Sequence, residues 1–267
     1  MDDAKSADLM EQVEAIARKA GRAILDVAAA KMHTRSKADG SPVTAADLAS
    51  NRQIQSGLER LEPRLAIVSE ESDPEAAAAE RPDTFWLVDP LDGTKEFVAG
   101  IPEYTVNIAL VREGDPVMGA VYLPAADVMY AGLRGRGAWK TAPGGGPQPI
   151  APSTAKRPRR AVVSRSHLDE QTERFLDSLG IAERVAHGSS LKMCAVADGS
   201  ADIYPRFGPT CLWDTAAGAA VARAAGCKVT DLDGDELSYD PAGGLKHAGF
   251  LVYPEGMEID WAPLSTR

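Results

Sequence analysis

Phe85-Trp86-Leu87-Val88-Asp89-Pro90-Leu91-Asp92-Gly93-Thr94-Lys95-Glu96-Phe97 carries an apolar run, two acids and a turn within thirteen residues. The run Phe85 to Val88 predicts a short buried strand. It ends in Asp89 and Asp92, which bracket Pro90 and Leu91. Gly93 permits a tight turn, and Thr94 suits a helix N-cap. Free backbone N–H groups at a helix start favour a phosphate. Paired carboxylates favour a hard cation such as Mg²⁺, which bridges to phosphate oxygens. Metal-dependent phosphate chemistry is therefore the first expectation. Pro-x-Asp-Gly is also ordinary turn chemistry, so the neighbouring elements must decide.

Working upstream, Leu65 to Val68 predicts a second buried strand, which delivers Ser69-Glu70-Glu71 at its end. Residues 7–32 repeat apolar side chains at helical spacing and predict a long amphipathic helix. The polar segment 34–42 reads as a turn. Thr44 is expected to cap a second helix over 44–61, with Asp47 in its first turn. Glu75 to Glu80, with four alanines, reads as a surface helix or loop.

Downstream, Tyr104–Val111, Val117–Leu123 and Val128–Leu133 predict successive strands of an antiparallel meander. The glycines at 144–146 fit a hairpin tip better than a phosphate loop, since no helix pattern follows. The basic stretch Lys156-Arg157-Pro158-Arg159-Arg160 marks an expected boundary. It separates an N-terminal α+β lobe, 1–157, from a smaller C-terminal α/β lobe, 158–267. The second lobe alternates strand 161–164, helix 169–179, helix 191–196, strand 201–204, helix 213–225 and strands 228–230 and 250–252. This alternation is α/β in character.

The chain has 267 residues, 44% of them hydrophobic, enough for a large core or two fused lobes. A net charge of −10 argues against a general nucleic-acid or anionic-membrane binder. It leaves room for a small anionic substrate, because a metal site and a few basic residues reverse the sign locally. The three cysteines, Cys194, Cys211 and Cys227, show no CxxC spacing and suggest reduced, buried thiols in a cytoplasmic protein. Met1 to Lys5 shows no leader pattern, and no apolar stretch is long enough to span a bilayer.

Five acids stand out: Asp47, Glu70, Asp89, Asp92 and Asp214. The last lies in Trp213-Asp214-Thr215-Ala216-Ala217-Gly218, at or near a helix start, where an acid also simply complements the helix dipole. Carboxylates that converge on one point repel each other and need cations between them. Spacing along the chain does not show whether they converge.

Asp39-Gly40-Ser41-Pro42-Val43-Thr44-Ala45-Ala46-Asp47, Ser69-Glu70-Glu71, Asp89 to Phe97, and Trp213 to Gly218 resemble the motif set of the inositol monophosphatase superfamily. Those proteins are Mg²⁺-dependent, lithium-sensitive phosphatases with a layered α/β/α/β/α sandwich. Gly93-Thr94-Lys95-Glu96-Phe97, Ser164-Arg165-Ser166-His167, Gly188 to Lys192 and Tyr204 to Thr210 resemble the 3'(2'),5'-bisphosphate nucleotidases of the bacterial CysQ type. The resemblance runs in order from about residue 10 to residue 253. It implies two or three Mg²⁺ ions held by Glu70, Asp89, Asp92 and Asp214 through side chains and by Leu91 through its carbonyl. Asp47 and Thr94, with Glu70, would orient and deprotonate the attacking water. Gly93 and Thr94 N–H groups would hold the scissile phosphate. Ser164, His167, Ser189, Lys192 and Arg206 would hold the nucleotide and its second phosphate; capping or solvated surface roles are their alternatives. The implied substrate is adenosine 3',5'-bisphosphate, with 3'-phosphoadenylyl sulfate as a second one, in sulfate assimilation. The resemblance further implies a monomer or homodimer, cytoplasmic, free or peripheral at the inner face of the membrane. Inositol monophosphate or fructose 1,6-bisphosphate hydrolysis on the same scaffold is the nearest rival. The inositol branch has Gly-Thr-Thr-Asn-Phe where this chain has Gly93-Thr94-Lys95-Glu96-Phe97. A non-catalytic metal- or nucleotide-binding protein is the rival of another class, and a pure binder has no use for a water-activating pair.

Overall fold

A computed structural model describes residues 3–33, 42–73, 83–166 and 169–262. The helices are α1 (Asp3–His33), α2 (Pro42–Leu58), α3 (Thr94–Ala99), α4 (Glu170–Ser178), α5 (Leu191–Ala197) and α6 (Leu212–Ala225). The strands of the first sheet are β1 (Ala66–Ser69), β2 (Thr84–Asp92), β3 (Thr105–Arg112), β4 (Asp115–Leu123), β5 (Val128–Leu133), β6 (Gly137–Thr141) and β7 (Gln148–Ile150). They lie in sequence order. Only the β1–β2 pair is parallel; the other pairs of this sheet are antiparallel.

The remaining strands are β8 (Arg160–Ser164), β9 (Glu183–His187), β10 (Tyr204–Arg206), β11 (Thr210–Cys211), β12 (Cys227–Thr230), β13 (Lys246–His247) and β14 (Phe250–Pro254). They form a three-stranded sheet, β10-β14-β12, and two-stranded pairs β8–β9 and β11–β13. A bridge from Ala161 to Ile203 ties β8 to the segment entering β10.

Three apolar clusters give the layering. On α1, Met10, Val13, Ala17, Ala20 and Ile24 recur at helical spacing and are buried with Trp86, Val88, Ile108 and Ala120 from one face of the large sheet. The opposite face of that sheet supplies Phe85, Leu87, Ala109 and Val121, which pack with α5, α6 and Phe250 and Val252 of the smaller sheet. The outer face of the smaller sheet meets Phe175 and Leu176 of α4. The order helix, sheet, helix, sheet, helix is the α/β/α/β/α sandwich that the resemblance implied. The central cluster draws on residues from both sides of the 157/158 connector.

Helix α6 lies flat on the large sheet because both sides are small. A Cβ on Gly119 of β4 would meet the Ala217 carbonyl oxygen at 2.3 Å, and one on Gly132 of β5 would meet Val221 Cα at 2.6 Å. Ala216, Ala217, Ala219 and Ala220 complete the contact from the helix. This close approach fixes where the N-terminus of α6, with Asp214, comes to rest.

Most predicted elements form, with informative differences. Helix α2 starts at Pro42, so Asp47 lies in its second turn rather than its first. Proline is well suited to a first helical turn, where its missing N–H costs nothing. The helix begins at Thr94 itself, and the cap is Gly93, with φ 90°. A left-handed φ there is open to glycine and costly for threonine. Strand β2 runs on through Pro90 to Asp92. The strand expected over 201–204 forms at Tyr204–Arg206 instead. Glycines 144–146 sit between the paired strands β6 and β7, as a hairpin tip should. Strand β9 was not predicted: Glu-Arg-Val-Ala-His has no apolar run, and only its parallel pairing with β8 makes it a strand. The Glu75–Glu80 stretch lies outside the described residues.

The α6–sheet contact generates a stability prediction. Gly132→Ala should destabilise the protein by about 1–3 kcal/mol through overpacking, read as a fall in the urea midpoint at unchanged slope. An unchanged midpoint would show that helix and sheet separate freely at this point.

Candidate active site

The β2–β3 pairing sets up the first two acids. Asp89 pairs with Asn107 and Asp92 with Thr105, so three steps on β2 match two on β3. In a regular strand, residues three apart point to opposite faces. The extra residue of a bulge reverses that phase. Pro90 fits the bulge because it has no N–H to give to a ladder. The turn is pinned by the Leu91 N–H, which donates to Asp89 Oδ1 at 3.0 Å, and by the Ser50 hydroxyl, which donates to the Pro90 carbonyl at 2.7 Å. Asp89 and Asp92 are thereby close enough to repel each other.

Glu70 arrives beside them because β1 runs parallel to β2. The register Ser69 to Val88 is extended by the Glu70 N–H donating to the Val88 carbonyl at 3.2 Å. Asp214 comes from the far side, in the first turn of α6, where its carboxylate caps the Cys211 N–H at 3.2 Å. Carboxylate oxygens of Glu70, Asp89 and Asp214 lie within 4.8 Å of one another. Asp92 adjoins this group. Asp47 faces Glu70 and Glu71 from α2. Ser50 and Asn51, three and four residues on and so on the same helix face, bind the ends of β2 and β1.

Electrostatics mark the group as incomplete. Burial, followed by the charges of Asp92, Glu70 and Asp214, pushes Asp89 well above the usual carboxylate range. Burial, then Asp92 and Glu70, lifts Asp214 to about 8. Burial, then Glu71 and Glu70, lifts Asp47 to about 7. Glu70 is raised by burial and by its acidic neighbours Glu71 and Asp92. Several acids that must hold protons in order to coexist have the donor chemistry of a hard divalent cation site, all oxygen and strongly negative. The residues fit the group that the resemblance implies.

Asp92 is treated differently. Burial raises it too, but Lys192, Ser190 and Asn107 oppose the shift. Asn107 Nδ2 donates to Asp92 Oδ2 at 3.3 Å and to Ser190 Oγ at 2.9 Å, and Ser190 Oγ donates to the Asp92 carboxylate and the Asp214 carbonyl. The pair Asn107–Ser190 thus ties the β2 acids to α6. Neither residue was singled out from sequence. The period-2 pattern of β3 offers the one available signal, because a buried Asn in an otherwise apolar strand needs partners.

Asp92 and Asp214 also line a cleft of about 260 Å³, together with Gly93, Thr94, Ser164, Ser189, Lys192 and Arg206. The cleft is acidic at one end and basic at the other. Lys192 is not a surface charge: it is 8% exposed, its ammonium donates to the Ser189 carbonyl, and it lies over the Tyr204 ring. Burial lowers its pKa, and the nearby Asp92 opposes the fall. Ser189 is held at φ 46°, and its buried hydroxyl has no hydrogen-bond partner in the protein. A strained backbone and an orphaned donor at a cleft are features of ligand-binding positions. Arg206 Nε donates to Thr210 Oγ1 at 3.3 Å. Leu91 is buried in the turn between the acids. His167 lies outside the described residues.

Comparison with known proteins gives the family and the fold. The family model described as "Inositol monophosphatase family" matches residues 6–254. The chain is 48% identical over 246 residues to the 3'(2'),5'-bisphosphate nucleotidase CysQ of Escherichia coli O157:H7, covering 91% of this chain and 99% of that one. The crystal structure of CysQ from Bacteroides thetaiotaomicron superposes with a TM-score of 0.83 at 36% identity, covering 94% of this chain and 98% of that one. The inositol monophosphatase of Anabaena (Nostoc) sp. PCC 7120 superposes at 0.74 with 25% identity, over 95% of this chain and 93% of that one. On fold, acid cluster and sequence together, the chain belongs to the inositol monophosphatase family.

Proposed function

We propose that the chain is an Mg²⁺-dependent phosphatase that hydrolyses adenosine 3',5'-bisphosphate to AMP and phosphate. 3'-Phosphoadenylyl sulfate would be a second substrate, and clearance of such nucleotides in sulfate assimilation the role. A cytoplasmic place, free or at the inner membrane face, goes with this reading; among the described residues no helix is long and apolar enough to cross a membrane. One observation carries the proposal: the acids Asp92 and Asp214 share a cleft with the cations Lys192 and Arg206. A substrate with two phosphates matches both ends. The likeness to the CysQ nucleotidases supports the nucleotide over an inositol phosphate.

Glu70, Asp89, Asp92 and Asp214, with the Leu91 carbonyl, would hold two or three ions. Bound there, divalent cations supply charge neutralisation at the phosphate and make water acidic enough to act as a nucleophile near neutral pH. The other roles belong to the chain. Asp47, which faces Glu70 and Glu71 from α2, would accept the proton of the attacking water. Thr94 would align the same water with Asp47 and Glu70. The Gly93 and Thr94 N–H groups would orient the scissile phosphate. Ser164, Ser189, Lys192 and Arg206, with His167, would bind the second phosphate and the nucleoside.

Asp47→Asn and Thr94→Ala should each lower kcat by about 10²-fold or more, with smaller effects on KM. Both proteins should stay folded. A double variant whose loss equals the product of the single losses would count against a coupled pair.

The raised acids give a stability prediction whose sign follows from linkage. A carboxyl whose folded pKa lies above its unfolded value stabilises at low pH and loses that contribution as pH rises through the folded value. For Asp47 and Asp214, whose ordinary value is 3.8, this spreads the loss from about pH 4 up to about pH 7 and 8, where it is complete. The metal-free protein should therefore show a Tm that falls from about pH 4 to about pH 8 and levels off above, and saturating Mg²⁺ should remove the fall. An identical pH profile with and without Mg²⁺ would argue against cation binding at these acids. Activity should vanish in EDTA and return with Mg²⁺.

Lys192→Met and Arg206→Ala test the second phosphate. Losing a hydrogen bond to a charged group costs about 1.5–3 kcal/mol, or roughly 10- to 150-fold in kcat/KM. The loss should fall on adenosine 3',5'-bisphosphate and spare a simple monophosphate. Equal losses on both substrates would assign the two cations a general electrostatic role.

A further inference from the structure

Glu103 stands in the loop between α3 and β3, outside the cleft lining. Its carboxylate receives donations from three places. Arg165 contributes Nε to Oε2 and Nη2 to Oε1, both at 2.8 Å. The Gly188 N–H donates to Oε2 at 2.8 Å, and His187 Nδ1 lies 3.3 Å from Oε1. Arg165 Nη2 also reaches the Ala186 carbonyl at 2.8 Å. Burial alone would raise this carboxyl. The donations from Arg165, Gly188 and His187 outweigh it and hold the group down at about 2. The group is a permanent anion with its lone pairs engaged.

These partners belong to two separate segments: the turn after β8, with Arg165, and the end of β9 running into the loop that leads to Ser189, with His187 and Gly188. The main chain packs equally closely. A Cβ on Gly93 would lie 3.0 Å from the Glu103 carbonyl oxygen. A Cβ on Gly188 would lie 2.8 Å from that same oxygen and 2.9 Å from Glu96 Cγ. Glu96 in turn accepts from the Ser166 hydroxyl at 2.6 Å. The Gly93–Glu96 turn, which would orient the scissile phosphate, is therefore locked to the Ser164–Ser166 and His187–Ser189 segments.

We infer that Glu103 is a positioning residue for substrate selection: it clamps Ser164 and Ser189 at a fixed distance from the Gly93 turn, and so sets the spacing between the two phosphates the cleft accepts. The inference rests on the bisphosphate reading above and adds a residue that never touches the substrate. The acid cluster does not depend on this clamp, because Glu70 and Asp89 are held by β1, β2 and α2. Ser190 has its own anchors in Asn107 and the Asp214 carbonyl. Loss of Glu103 should thus loosen residues 186–189 and leave the first phosphate site in place.

The test uses the full-length chain and the variants Glu103→Ala, Glu103→Gln and Arg165→Ala. Three quantities are read: amide hydrogen exchange at Gly188, and kcat and KM for adenosine 3',5'-bisphosphate and for 3'-AMP. Glu103→Ala should speed exchange at Gly188 by about 10-fold or more while β2 and α6 stay protected. It should raise KM for the bisphosphate by about 10- to 100-fold, since small misplacements of a binding group cost this much. For 3'-AMP, kcat/KM should move by less than about 3-fold. Glu103→Gln keeps the shape and should show the same split more weakly; it replaces the alanine variant if that fails to fold. Arg165→Ala, which leaves the Gly188 bond, should fall between wild type and Glu103→Ala. Equal losses on both substrates, or unchanged exchange at Gly188, would overturn the inference. A wild type with no preference for the bisphosphate over 3'-AMP would instead overturn the bisphosphate reading, and the Gly188 exchange then decides the clamp alone.

Discussion

Like charges gathered in a small, partly buried space dominate this molecule. Glu70, Asp89 and Asp214 come from three elements, and their carboxylate oxygens converge within 4.8 Å. Their described surroundings leave all three carboxyls raised. Lys192 moderates Asp92 and Asp214, and burial weakens its own charge. Folding must therefore bring repelling groups together, and rigid elements do so. The parallel β1–β2 pair places Glu70, the bulge at Pro90 re-aims Asp92, and the tight seating of α6 on glycines places Asp214. Functional sites are where folds accept such costs, because a site that was electrostatically satisfied would have no affinity left for ions or phosphate.

The rest of the cleft extends the same logic with opposite sign. Lys192 is buried beside Asp92, so the charge of each offsets part of the other's desolvation cost. Asn107 and Ser190 join Asp92 to the start of α6 through neutral hydrogen bonds, which add order without adding charge. Glu103 and Arg165 do the same work on the outer rim with a forked ion pair, a geometry that fixes direction as well as distance.

Much of this was legible in the chain. Apolar periodicity found α1, α2 and the meander, because those elements bury one continuous face and so show their period. The acids were legible as well, since Glu70 follows β1, Asp92 ends β2 and Asp214 lies in the first turn of α6. Their convergence was not, because it depends on a parallel pairing and on one extra residue in β2, and neither leaves a periodic trace. The cap at residue 94 was placed one position late, since a side-chain rule favours Thr94 while the backbone needs a left-handed φ at Gly93. Strand β9 escaped because its residues are half-exposed and polar, and its pairing with β8 is the whole reason it exists. A surface charge stayed open as the alternative for Lys192, because burial of a lysine is set by the tertiary neighbours Tyr204 and Asp92. Asn107 and Glu103 carry no motif, and their importance lies in partners up to 85 residues away.

The position of α6 in the chain has a consequence for biosynthesis. The seven strands of the large sheet are complete by Ile150, yet the helix that covers their inner face begins at Leu212. During synthesis at about 5–20 residues per second, that face, with Phe85, Leu87, Ala109 and Val121, waits several seconds for its cover. A finished sheet with one bare apolar side is a target for aggregation and for chaperones. The two glycines that let α6 settle closely thus bear on yield in the cell as well as on the site, since a helix that docks late must dock without rearrangement.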